Sequence, residues 1–95
     1  MNLSETVELM NSNDYKERFK AEYYQTKERY ERLKRFNTKI EASERMQYVP
    51  YYTGYPDIEK PKHDCPLELL QQQQHLMGEY LHVLELRAVI EKIEL

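Results

Sequence analysis

Three observations predict an all-α fold. Apolar or aromatic residues recur at spacings of three and four over 14–40, a second helical series carries two neighbouring apolar stripes over 66–93, and the 95-residue chain has only two glycines. Periodicity of that kind is the signature of helices with one face turned inward. The expected architecture is a short N-terminal helix plus a long antiparallel helical hairpin with a Tyr/Pro-rich connecting arm, all in a single domain, 1–95. A first helix of this length runs to about 40 Å, too long for the rest of the chain to wrap into a sphere. A chain this small is also near the limit at which one core suffices, so an oligomer is expected.

In order, 3–11 reads as a short helix with Ser4 as its cap, acidic Glu5 and Glu8 near its start, and Leu3, Val7 and Met10 on one face. That face is expected to dock on the hairpin or on a neighbouring subunit. Asn11, Ser12 and Asn13 break the pattern. Asp14 followed by Glu17 has the spacing of a capping box, which starts the first long helix, 14–46. Its predicted face is Tyr15, Phe19, Glu22, Thr26, Tyr30, Leu33, Phe36 and Ile40, with Glu28–Arg32 and Glu31–Arg35 as ion pairs along the solvent side.

Over 47–65 the helical spacing lapses. Tyr48, Pro50, Tyr51, Tyr52, Gly54, Tyr55, Pro56 and Pro61 make this an irregular arm, longer than most helix connections and rich enough in tyrosine to contact a partner. Pro66 suits the first position of the second long helix, 66–93, with Asp64 or Cys65 as its cap. One stripe there is Leu70, Met77, Leu81, Leu84 and Ala88; the other is Leu69, Leu76, Tyr80, Val83 and Ile90. A hairpin partner covers one stripe, so the second predicts contact between subunits. Gly78 in mid-helix costs about 1 kcal/mol relative to Ala and marks either a place where another backbone or a ligand comes close or a tolerated surface glycine.

Charge divides the function classes. The chain carries a net −3, but 14–40 holds nine Lys or Arg against five Asp or Glu, a net +4 that leaves −7 for the remainder. A basic helix beside an acidic remainder lacks the character of a duplex nucleic-acid binder, and no helix-turn-helix pattern is present. No apolar run approaches the roughly 18 residues of a membrane span, and the lone Cys65 suits a reducing compartment, so the expectation is cytoplasmic with no membrane partner. His63, Cys65, His75 and His82 do not assemble into a metal-ligand pattern, and no phosphate loop or nucleophile setting occurs. Neither an enzyme, a metal nor a cofactor is expected.

Glu22 and Thr26 interrupt the seam of the first long helix. Arg18 and Lys27 flank that interruption with Tyr15, Tyr23 and Tyr30, and cations interleaved with aromatic planes can hold a phosphate and stack a base. The alternative is structural: Glu22 pairs with Arg18, or with Arg87 across the hairpin, in a polar layer that sets register.

The pattern Tyr15, Arg18, Phe19, Glu22, Tyr30, Leu33, Phe36, then Pro66, Leu70, Gln73, Met77, Tyr80, Leu84, Arg87, resembles that of small phage and prophage proteins of gut bacteria related to a crAss-like phage protein. The resemblance spans both long helices. It departs at the Tyr/Pro-rich connection, where many relatives have a shorter link. In architecture the chain is also similar to the helical-hairpin sponges with which phages sequester cyclic nucleotide signals of bacterial immunity. These resemblances imply a phage accessory protein, a homo-oligomer in the host cytoplasm, that binds a nucleotide second messenger. Arg18, Lys27 and Arg87 would then meet phosphate while Tyr15, Tyr23, Tyr30 and Tyr80 stack on the ligand or line its pocket. The second function class is an adaptor or inhibitor that grips a host protein through the tyrosines of 48–55.

Overall fold

A computed structural model describes residues 1–46 and 60–95; most of the tyrosine-rich arm expected over 47–65, its residues 47–59, lies outside the described residues. Those residues form three helices and no strand: α1 (Leu3–Met10), α2 (Tyr15–Met46) and α3 (Leu67–Glu91). The molecule is elongated, 58 Å along its longest axis and about 25 Å across, as a 32-residue helix dictates.

Capping follows the sequence in part at one place and departs from it in two. Asp14 Oδ1 accepts from the Lys16 amide at 3.0 Å and starts α2, but the expected box with Glu17 is not formed, because the Asp14 amide donates to Ser12 Oγ at 3.1 Å instead. At α1 the cap is Asn2 rather than Ser4: its Oδ1 accepts from the Glu5 amide at 2.9 Å, and its Nδ2 donates back to the Glu5 carboxylate. Pro66 is itself the N-cap of α3, extended at φ −58° and ψ 141°, and Leu67 is the first helical residue. Neither Asp64 nor Cys65 is the cap. At the far end Lys92 takes the left-handed conformation, φ 57°, and the Ile93 amide donates to Ala88 O at 2.8 Å. This six-residue closure folds Ile93 back into the core, where it is buried.

The core sits between α2 and α3. Phe19 and Tyr23 meet Leu81, Leu84 and Ala88, closed at one end by Ile93, with Tyr24 and Tyr30 packed against them. The contacts run in opposite directions along the two helices: Tyr23 reaches Glu85, whereas Asn37, further along α2, reaches Gln74 and Leu70. The first stripe of α3 therefore faces α2. The second is exposed, with Leu69, Leu76, Tyr80, Val83 and Ile90 all open to solvent.

Two expectations about buried faces need correction. On α1 the buried residue is Thr6, not Val7 or Met10, which stand exposed. Its hydroxyl donates to Leu3 O at 2.6 Å and accepts from Gln25 Nε2 of α2 at 3.0 Å, so a satisfied hydroxyl fills the place of an aliphatic side chain. On α2 the buried set includes Ala21, Asn37 and Ser43, while Tyr15 and Glu22 are exposed. α1 packs on one side of α2 and α3 on another, so no single stripe describes what α2 buries.

Candidate functional site

The cationic feature is a hollow of about 520 Å³ lined by Met10, Arg18, Glu22, Gln25, Thr26, Arg29 and Tyr80. All three helices contribute. Arg18, Glu22, Gln25 and Arg29 follow one another on α2 at spacings of four, three and four, so their side chains share one face. Local bonds fix the two guanidinium groups: Arg18 Nη1 donates to Ser12 O at 2.8 Å, and Arg29 Nε donates to Gln25 O at 3.3 Å. Gln25, held by Thr6, ties the α1 wall to the floor.

Across the helix interface, the Tyr80 hydroxyl donates to Glu22 Oε1. That bond, aided by partial burial, raises the Tyr80 phenol above its ordinary range, against the opposing pull of Arg87. Glu22 is the one carboxylate among the lining residues, and its charge is already engaged by this phenol. Two guanidinium groups beside one aromatic ring leave the hollow with a positive excess, suited to an anion that also carries a flat ring.

Of the seven residues expected to bind ligand, the fold brings Arg18 and Tyr80 together here. Arg29 joins them, and its four-three-four spacing with Arg18 was the signal available in the sequence. Tyr23 faces the core instead: it is buried, its hydroxyl donates to Glu85 Oε2 at 2.9 Å, and its phenol is pushed up to about 12, first by burial and then by that bond. Lys27 lies over the Tyr23 ring at 5.9 Å from the centroid. Arg87 stacks on Phe19 at 4.9 Å and forms a two-pronged pair with Glu91, at 2.7 and 3.2 Å. That pairing holds the Glu91 carboxyl below its ordinary range, with Tyr15 adding a hydrogen bond. The expected polar cluster of Arg18, Glu22 and Arg87 is thus not formed: each has a separate partner, Ser12 O, Tyr80 and Glu91 respectively. Glu22 pairs with Tyr80 because the register of the helices sets a phenol, not a guanidinium, opposite it.

Tyr30 lies on another groove, of about 920 Å³, walled by Asn37 and Thr38 of α2 and by Gln71, Gln74, His75 and His82 of α3. Its ring sits against Gly78: a Cβ added there would stand 3.3 Å from Tyr30 Cε2. The close neighbour at Gly78 is thus a side chain of α2, not a backbone or a ligand. Among the described residues no three His, Cys, Asp or Glu side chains gather as a metal site would require, and no helix is long and apolar enough to cross a membrane.

Fold and site together define a small all-helical protein with a cationic, aromatic-edged hollow. The family model Sequestin matches residues 13–90, which take in the whole of α2 and nearly all of α3, and the chain belongs to the Sequestin family. No curated protein matches the chain. No solved structure matches it either.

Proposed function

We propose that this protein is a stoichiometric binder, not an enzyme, that sequesters an anionic nucleotide-derived signal in the hollow between α1, α2 and α3. The observation that carries the reading is that Arg18 and Arg29 open onto one hollow beside Tyr80, whose hydroxyl occupies the single lining carboxylate, Glu22. The guanidinium groups supply charge-assisted bonds to phosphate oxygens, and the phenol offers a face for a base. A hollow of about 520 Å³ falls within the usual range for small-molecule sites. The family's name agrees with a sequestering role.

In this reading the protein is a phage accessory factor of the host cytoplasm that lowers the free concentration of a defence messenger. Binding alone does this, so no catalytic group is required. The test is thermal unfolding of the full chain against cyclic di- and trinucleotides and cyclic ADP-ribose isomers. A true ligand at a hundredfold excess over Kd stabilises the native state by about 2.7 kcal/mol, which raises the Tm by about 11–22 °C in a domain of this size. Absence of a shift with every member of the panel overturns the proposal.

A further inference from the structure

Asn37 Oδ1 is the one buried side-chain polar atom without a hydrogen-bond partner among the described residues. The residue is 3% exposed, and it lines the groove of about 920 Å³ between α2 and α3. Its amide can be oriented in only one way. Leu70 O is a carbonyl that can only accept, so the nitrogen faces it at 3.1 Å and donates its other hydrogen to Gln74 Oε1 at 3.0 Å. The oxygen is left unpaired on the groove side of the helix interface, and a buried acceptor in that state destabilises a fold and calls for an explanation.

The rest of the groove shares this excess of acceptors. No Lys or Arg is among its lining residues, whereas Glu41 of α2 and Glu79 of α3 both are. Among the described residues, each carboxylate has one ion-pair partner four residues away, Arg45 at 2.8 Å and His75 at 3.2 Å, and solvent-exposed pairs of that kind are weak enough to be exchanged. The Thr38 hydroxyl gives its hydrogen to Lys34 O at 2.8 Å and so offers the groove lone pairs alone. An anion would find no cation here. A ligand that brings N–H donors and positive charge meets a complement.

Spacing narrows the class. The two long helices run antiparallel with Asn37 level with Gln74, so Glu41 and Glu79 lie on opposite sides of that level. At 1.5 Å per residue, Glu41 is about 6 Å away along α2 and Glu79 about 7.5 Å away in the other direction along α3. Three acceptors thus stand in a row. In a linear triamine, spacers of three or four carbons set successive nitrogens about 5–6 Å apart at ordinary bond lengths, and the two flexible glutamate side chains take up the difference. A single inorganic cation could meet only one of the three. Tyr30 and Val83, also in the lining, offer apolar surface to the methylene stretches.

We propose that this groove binds a linear polyamine, whose protonated nitrogens engage Glu41, Asn37 Oδ1 and Glu79 in turn. The middle nitrogen reaches Asn37 Oδ1 by turning aside the half-buried Gln74 side chain, so that a charge-assisted hydrogen bond replaces a neutral one. The groove shares no lining residue with the Arg18 and Arg29 hollow, and the proposal does not rest on the nucleotide reading.

Calorimetric titration of the full chain with spermidine at physiological salt, read beside the NMR signals of the Asn37 side-chain amide, tests the proposal. The expected result is one spermidine bound per chain, more tightly than the diamine putrescine. Glu41→Gln and Glu79→Gln, both on the solvent-exposed rim, should each weaken binding about tenfold, the worth of one hydrogen bond between charged groups. The Asn37 amide signals should shift at saturation because Gln74 leaves them, which a diffuse cloud of counter-ions would not cause. No binding at millimolar spermidine, an affinity that survives both glutamine substitutions, or Asn37 signals that stay in place on saturation overturns the proposal.

Discussion

Tyr80 of α3 donates its hydroxyl hydrogen to Glu22 of α2, a side-chain bond that crosses between the two long helices on the side where Arg18 and Arg29 gather. Because Glu22 is exposed, water can replace the phenol if the bond is lost. Glu22→Ala should therefore cost about 0.5–1.5 kcal/mol, the net worth of one hydrogen bond, and not the roughly 3–5 kcal/mol of a broken buried ion pair. Urea unfolding measures the difference. A loss above about 3 kcal/mol would mean that Glu22 belongs to a dry charged layer after all.

Tyr23 makes stability depend on high pH. Its folded phenol titrates at about 12, against an ordinary value of 10.0, so between these values the unfolded chain loses a proton that the native state keeps. Stability from this group is complete below about pH 10 and declines as pH rises towards 12. Tyr23→Phe should flatten that decline and, by removing the bond to Glu85, cost about 1 kcal/mol at neutral pH. Chemical denaturation at a series of pH values distinguishes the two effects. An equally steep decline in the variant would assign the dependence to other groups.

Gly78 and Tyr30 should be energetically coupled. Alanine favours a helix over glycine by about 1 kcal/mol, but here its Cβ would press on the Tyr30 ring at 3.3 Å. Gly78→Ala should gain the full amount in a Tyr30→Ala background and less in the unsubstituted chain. A double-mutant cycle reads the coupling as about 0.5–1 kcal/mol. Strict additivity would show that the ring gives way without cost.

Helix existence was legible in the sequence, because three-and-four spacing is a local property that survives into the fold. The cap at Asp14 was legible for the same reason. What each helix buries was not, because it depends on two partners meeting the same rod. α2 takes α1 on one side, where Gln25 meets Thr6, and α3 on another, where Phe19 and Tyr23 are buried; the two periodicities overlap and blur. Asn37 went unnoticed because its role is set by register: only when α3 is in place does its Nδ2 meet Leu70 O at 3.1 Å and Gln74 Oε1 at 3.0 Å. The candidate residues were sorted by the same cause: Arg18 and Tyr80 line one hollow, whereas Tyr23 and Tyr30 read as equals along α2 although Tyr23 is buried in the core and Tyr30, at the core's edge, lines a different groove.

Lys92 holds a left-handed backbone that glycine adopts without steric cost. Lys92→Gly should therefore raise stability by about 0.5–1 kcal/mol while the Schellman closure onto Ala88 persists. Thermal unfolding of the variant checks this. A lower Tm would indicate that the lysine side chain contributes a stabilising contact at that end.

Arg18 and Arg29 make the central claim measurable. Both side chains are exposed and, among the described residues, bonded only to backbone oxygens, so Arg18→Ala and Arg29→Ala should leave the fold intact. Isothermal titration calorimetry of the panel member that gives the largest thermal shift, against the unsubstituted chain and both variants, is the most direct test. Each substitution should weaken binding by about 1.5–3 kcal/mol, the worth of a hydrogen bond to a charged group, while Tyr30→Ala, on the other groove, should leave affinity nearly unchanged. Full affinity in both arginine variants, or a loss confined to Tyr30→Ala, would contradict the assignment of the site.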